Sequence, residues 1–344
     1  MSVRPRALDV VIARGGSSRG VMLRLDDLPP PGPARDELTL RLVGSPPTEG
    51  LGGGSPVTNK VVAVGVGPSG ADLEYVVGNV SSDATTVDWS GTCGNMTSAV
   101  VPFGYAAGLL TGEPSGAWRL RNLATNGLIE VGVLDVAALE TPGAEVRLTT
   151  EFLDPGGAVL GRMLPTGRVR DVIEVDDLAC EATLVDVTHP YLLLRHGEVV
   201  GERRLSDPAT LARIERVRGT VCVRLGLCAD PMSACTLSPA VPRVVLVHPR
   251  EAPTPSELRI LAVSLGEPVH TVPVTAGLAL AAASRIHGTL VHDPLLDVCG
   301  AAEVGVVGPT GRLTARSEVA ADGTLVSVGL GRTARLLAQG RAWV

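Results

Sequence analysis

The chain has 344 residues, 45% of them apolar, enough for about two domains with substantial cores. Only 2% are aromatic and the formal charge is −6, so neither base-stacking platforms nor a broad basic face for nucleic acid or anionic lipid is expected. An anionic ligand would have to be held by local donors.

The opening MSVRPRALDVVIARGG lacks the apolar run of a secretory signal, and no stretch of about 18 apolar residues suggests a membrane helix. Residues 79–81 and 95–97 match the N-glycosylation pattern, which carries no meaning without secretion. The cysteines (Cys93, Cys180, Cys222, Cys228, Cys235 and Cys299) form no CxxC or CxxH pair. That spacing argues against zinc and against a disulfide scaffold, and a reducing cytoplasm is the expected compartment.

In chain order, 8–13 (LDVVIA) reads as a buried strand running into RGGSSRG at 14–20, and VMLRL at 21–25 as a second strand. A loop at 29–33 leads to helical spacing over 35–43. A long Gly/Ser/Pro loop follows over 44–59, then strands at 60–66, 73–80 and 85–89. GVGPSG at 65–70 fits GxGxxG formally, but it holds Pro68 and precedes strand-like alternation, so it reads as a hairpin turn. GLGGGSPVTNK lacks the glycine before lysine that a P-loop needs.

DWSGTCGNMTSAVVPF at 88–103 passes from a short strand into an apolar helical pattern expected from Met96 through Leu110. Cys93, Gly94 and Asn95 then stand at a helix N-terminus, where unpaired amides favour an anion and lower a thiol's pKa. The plain alternative is that Asn95 only caps the helix and Cys93 only packs. Strands are expected at 118–123, 128–133, 144–148 and 171–175, with a Gly/Pro-rich stretch at 152–170 and a change of domain near 176–180.

The second half repeats the plan. Strands are expected at 182–187 and 191–195, a helix at 206–218, strands at 243–247 and 269–274, and mixed signals at 257–265. Thr275-Ala276-Gly277 then opens a helix over 278–286 that is apolar all round and therefore buried.

Three groups could carry chemistry. RGGSSRG offers two arginines, two hydroxyls and flexible amides, which suits a carboxylate; it could equally be a tight turn with solvated arginines. Lys60 is the one lysine among 30 basic residues, and lysine, unlike arginine, can act as a base when buried. The histidines (His189, His196, His248, His270, His287 and His292) show no metal spacing; His189 and His270 are the best candidates to face a cleft, but each reads first as a structural residue. No GxSxG elbow is present.

RGGSSRG, GLGGGSPVTNK, CGNMTSAVVPF, PTG with Asp171, DVTHPY, LGEPVH and PVTAGLALAAAS resemble, in order from 14 to 289, the motifs of the PrpF-type isomerases. That family includes 2-methylaconitate cis-trans isomerase, 4-oxalomesaconate tautomerase and 3-methylitaconate isomerase. The resemblance implies an α+β fold of two similar diaminopimelate-epimerase-like domains, 1–178 and 179–344, each a curved, barrel-like sheet around a central helix. It places the active site in the cleft between them and allows a C-terminal strand near 331–344 to pack back on the first domain. It puts Lys60 on the catalytic lysine and Cys93 on the cysteine across the substrate. Substrate binding is expected from Arg14, Gly16, Ser17, Ser18, Arg19, Thr58, Asn59, Gly94, Asn95, Met96, Ser264, Gly266, His270, Thr275, Ala276 and Gly277. Arg19 replaces a usual lysine, and Thr275 stands where the epimerases have a second catalytic cysteine.

The reaction so implied is an allylic proton shift or cis-trans isomerisation of an unsaturated di- or tricarboxylate. It calls for no metal and no cofactor, because the substrate's own carboxylates delocalise the charge. The expected partner is that small acid, with a homodimer left open. A cysteine-dependent epimerase and a non-catalytic carboxylate-binding protein are the rival readings.

Overall fold

The computed structural model describes residues 7–44, 49–55, 57–81, 85–89, 93–111, 116–248, 257–293, 296 and 298–344. Parts of the glycine-rich loop, at 45–48 and 56, and residues 90–92 before Cys93 lie outside the described residues. The chain forms two compact units, Met1–Leu153 with Gly331–Val344, and Asp154–Leu330.

In the first unit the strands are β1 (Ala7–Gly15), β2 (Ser18–Arg24), β3 (Lys60–Val66), β4 (Leu73–Val80), β5 (Val87–Asp88), β6 (Ala117–Asn122), β7 (Leu128–Val133) and β8 (Glu145–Leu153). Helix α1 (Pro33–Val43) lies between β2 and β3, the short α2 (Gly94–Thr97) and α3 (Val100–Ala106) between β5 and β6, and α4 (Ala137–Glu140) between β7 and β8. Antiparallel hairpins β1–β2, β3–β4 and β6–β7 are joined edge to edge by parallel pairing of β2 with β3 and of β4 with β6, and β8 extends the last hairpin. Val10, Val21, Leu23, Val61, Ala63 and Val76 build a core on which Leu42 and Val43 of α1 pack.

The second unit repeats this order. Its strands are β9 (Asp171–Val175), β10 (Leu178–Val187), β11 (His189–Arg195), β12 (Arg243–His248), β13 (Glu257–Ser264), β14 (Glu267–Val269), β15 (Glu303–Val307), β16 (Arg312–Val319) and the start of β17 (Leu325–Trp343). Its helices are α5 (His196–Val199), α6 (Pro208–Arg224), α7 (Ala234–Leu237) and α8 (Val274–Arg285). Hairpins β10–β11, β12–β13 and β15–β16 are joined by parallel pairing of β11 with β12 and of β13 with β15, and β17 extends the last. The expected internal repeat is therefore present strand by strand.

Several expectations need correction. The change of unit falls at Leu153/Asp154 rather than near 176–180, because β9 and β10 are one hairpin that pairs Val175 with Leu178. The helix expected from Met96 through Leu110 is two short pieces. Pro102 has no amide hydrogen for the Ser98 carbonyl, and its ring crowds that turn, so the break falls at Ser98–Ala99. The strand expected over 269–274 ends at Val269, the last residue of β14. Pro273 caps α8, and Thr275-Ala276-Gly277, read as a turn, lies in its first turn. Every α8 residue from Val274 to Ser284 is buried, as its apolar surface requires.

Asp186 is fully buried in β10. Its Oδ2 accepts from the Val159 and Leu160 amides at 2.8 and 2.6 Å, while Oδ1 has no partner. Burial pushes this carboxyl up from the usual range, the two amides opposing it. A native pKa above the unfolded one means that stability falls as pH rises through the native value. Asp186→Asn keeps an acceptor for both amides without the charge. It is expected to stabilise the protein at pH 7 by about 1 kcal/mol and to flatten the pH dependence of urea unfolding above pH 4. A variant less stable than the parent at pH 7 would contradict this.

Candidate active site

The site is built on the turn that starts at Cys93. Its thiol is free and half-buried, and its carbonyl accepts from the Thr97 amide at 3.0 Å and the Thr97 hydroxyl at 3.1 Å. Thr97 thereby uses its one hydroxyl hydrogen, so Tyr75 on β4 donates to it at 2.8 Å. This buried relay fixes the backbone that carries the thiol. The amides of Gly94, Asn95 and Met96 precede the first internal bond and have no acceptor among the described residues.

RGGSSRG is the β1–β2 hairpin, with Gly15 opposite Ser18 and Gly16 in the turn at φ 52°. It lies directly on the Cys93 turn. A Cβ at Gly15 would meet the Asn95 carbonyl oxygen, and one at Gly16 the Asn95 Oδ1. Only glycine allows this approach. Asn95 Nδ2 donates to Ser17 Oγ at 3.0 Å and Ser18 Oγ at 3.3 Å, so Asn95 ties the two motifs together rather than capping the helix.

Arg14 is not available to a ligand. It donates to the Gly16 carbonyl at 2.9 Å, to Thr333 Oγ1 at 3.0 Å and to Glu145 at 2.6 Å. It braces the hairpin against the end of the chain. Arg19 differs: its backbone amide is bonded to Val57, but its buried Nε has no partner.

Lys60 opens β3 directly opposite Asn79 of β4. Its half-buried ammonium donates to Asn79 Oδ1 at 2.6 Å. A Cβ at Gly20 would lie 3.1 Å from both the Lys60 Cβ and the Met96 methyl, so Gly20 lets the base of the lysine and the Cys93 turn close on the same strand. Asn59 is wholly buried. Its amide oxygen accepts from Gly53 and Gly54 and its nitrogen donates to Ser81, so it shapes the loop rather than facing a ligand. Thr58 likewise spends its hydroxyl on Ser55.

In the second unit, Ser264 pairs with Glu267 across a two-residue turn in which Leu265 and Gly266 have φ 55° and 76°. Gly266 is thus explained by the hairpin. His270 is exposed, and its carbonyl accepts from the amide and hydroxyl of Thr310. Thr275 bonds Tyr191 Oη at 2.7 Å, Ala276 is buried, and Gly277 admits Leu313. These three pack α8.

Sequence reading missed Asn79, Tyr75, Thr97 and Arg332. An asparagine inside a strand, depleted there for good reason, was a signal for Asn79. Arg332 stands between glycine and threonine near the end of an apolar run. Its Nε and Nη2 are buried without a partner, burial holds its guanidinium down to about 10, and Cys93 is close enough to oppose that shift. Among the described residues no group of three histidine, cysteine or acidic side chains could hold a metal, and no helix is long and apolar enough to cross a membrane. Cys180 and Cys222 are buried thiols pushed up to about 11, chiefly by desolvation, which makes them poor nucleophiles.

The PrpF protein family model matches residues 6–344. The 2-methyl-aconitate isomerase of Shewanella oneidensis is 32% identical over 95% of this chain and 94% of its own. The 3-methylitaconate isomerase of Eubacterium barkeri is 31% identical over 97% and 96%. A crystal structure of methylitaconate-delta-isomerase superposes with a TM-score of 0.80 at 28% identity, covering 99% of this chain and 96% of that one. A hydroxyproline epimerase from Agrobacterium vitis, at 13% identity over 98% and 93% and a TM-score of 0.59, shares the fold. The chain is a member of the PrpF family, and an isomerase.

Proposed function

We propose that this isomerase moves a proton across an allylic system in an unsaturated di- or tricarboxylate of the 2-methylaconitate or 4-oxalomesaconate type. Lys60, as the free amine, takes a proton from the carbon next to the activated position, and that C–H pair becomes the new double bond. The negative charge spreads into a dienolate, which the amides of Gly94, Asn95 and Met96 stabilise. The ammonium of Lys60 or the thiol of Cys93 returns a proton to the far allylic carbon. Bonds broken and formed balance, with no net redox change; when Cys93 is the donor, the proton held by Lys60 passes to the thiolate through solvent and resets the pair. Ser17, Ser18 and Arg19 receive a distal carboxylate.

The observation that carries this reading is the placement of the chain's one lysine. Its ammonium is held by Asn79, and its base lies against the same glycine as the Cys93 turn. The test is incubation of methylaconitate, oxalomesaconate, methylitaconate and aconitate with enzyme in deuterated water, followed by NMR. Deuterium at an allylic carbon with a shifted or inverted double bond is expected for at least one acid. Inversion at a saturated centre without double-bond movement would indicate the epimerase instead, and tight binding without any exchange the non-catalytic rival.

A further inference from the structure

We propose that Arg332 grips one carboxylate of the bound acid beside Cys93 and so selects for ligands that carry a second carboxylate. The proposal takes the class of ligand from the isomerase reading; the subsite itself stands on geometry. The two unpartnered donors of Arg332, Nε and Nη2, form one edge of the guanidinium, the edge that pairs side-on with both oxygens of a carboxylate. Arg332 is half-buried, and a guanidinium edge buried and unused is costly to the ligand-free protein. The backbone here is pinned: the Thr333 carbonyl accepts from the Gly16 amide at 2.8 Å, and its hydroxyl accepts from Arg14. Arg332 is therefore held against the hairpin that packs on the Cys93 turn. Arg14 already has Glu145 and cannot substitute for it. A half-buried thiol and a cation with a vacant bidentate edge, set on adjoining segments, make a receptor for an anion.

Alkylation of Cys93 tests the subsite without reference to turnover. Iodoacetate carries a carboxylate and iodoacetamide does not, and their rate ratio at one thiol cancels any change in its ionisation. Arg332→Gln is expected to lower that ratio about tenfold or more, with Arg332→Lys between the two. Calorimetry with propane-1,2,3-tricarboxylate should show about 10- to 100-fold weaker binding to Arg332→Gln, while butyrate changes little. Arg332→Met is expected to raise the Tm of the ligand-free enzyme, the opposite of a merely structural arginine. An unchanged alkylation ratio in a folded variant, or equal losses for the tricarboxylate and butyrate, overturns the proposal. A collapsed ratio in a protein that isomerises none of the tested acids overturns the proposed proton shift on those acids and leaves this subsite standing.

Discussion

Lys60→Ala is expected to lower isomerisation by about a thousandfold, within the range a positioned base contributes. The Kd for an unreactive tricarboxylate should change by no more than about threefold. The ammonium makes its bond to Asn79 and to no carboxylate among the described residues, so a neutral partner orients it. On the proposed mechanism, removing it takes away the base but leaves Arg19 and the Gly94–Met96 amides to hold the ligand. Deuterium exchange into substrate should disappear together with turnover. Lys60→Arg should be as inactive as alanine, because guanidinium does not give up its proton at neutral pH. A Lys60→Ala enzyme within tenfold of the parent would remove lysine from the chemistry altogether.

Cys93→Ala separates two roles that the geometry allows for the thiol. If the thiol returns the proton to the far carbon, the variant still carries out the first step. Substrate would then exchange its allylic proton with solvent at close to the parental rate while isomerisation falls by about a hundredfold or more. If Lys60 performs both transfers, exchange and isomerisation fall together and only modestly. The first outcome is expected. Among the described residues Cys93 makes no side-chain capping bond to the turn, whereas its carbonyl is fixed by the Thr97 and Tyr75 relay. The thiol is thus free to face a ligand from a rigid base. Cys93→Ser, which keeps a proton but a much less acidic one, should fall nearer alanine than the parent.

The elements of the site that lie within one stretch of sequence were legible. RGGSSRG and CGN were marked by their residue types, and the internal repeat by two strongly apolar helices. Their packing on each other, through Gly15, Gly16 and Asn95, follows once both are recognised as close-approach segments. What remained hidden depends on pairing between distant strands. Asn79 matters because register sets it opposite Lys60. Arg14 looks like a ligand-binding cation until Glu145 and Thr333 are placed beside it. Arg332 looks like a surface residue until the segment it belongs to is docked. Charge counts are readable from a sequence, but which charges are already spent is not. Pro102 is plain in the sequence, and its one missing amide hydrogen divides the helix.

Strand β1 is bounded on one side by β2 and on the other by residues Ala334–Trp343 of β17. The whole second unit is translated between those two edges. As the chain leaves the ribosome, the first unit must therefore wait with one flank of β1 unpaired, a template for any other extended segment. Slow elongation or destabilising substitutions in the second unit should prolong that exposure. Poor yield on expression would then trace to the timing of strand closure rather than to weakness in the finished protein.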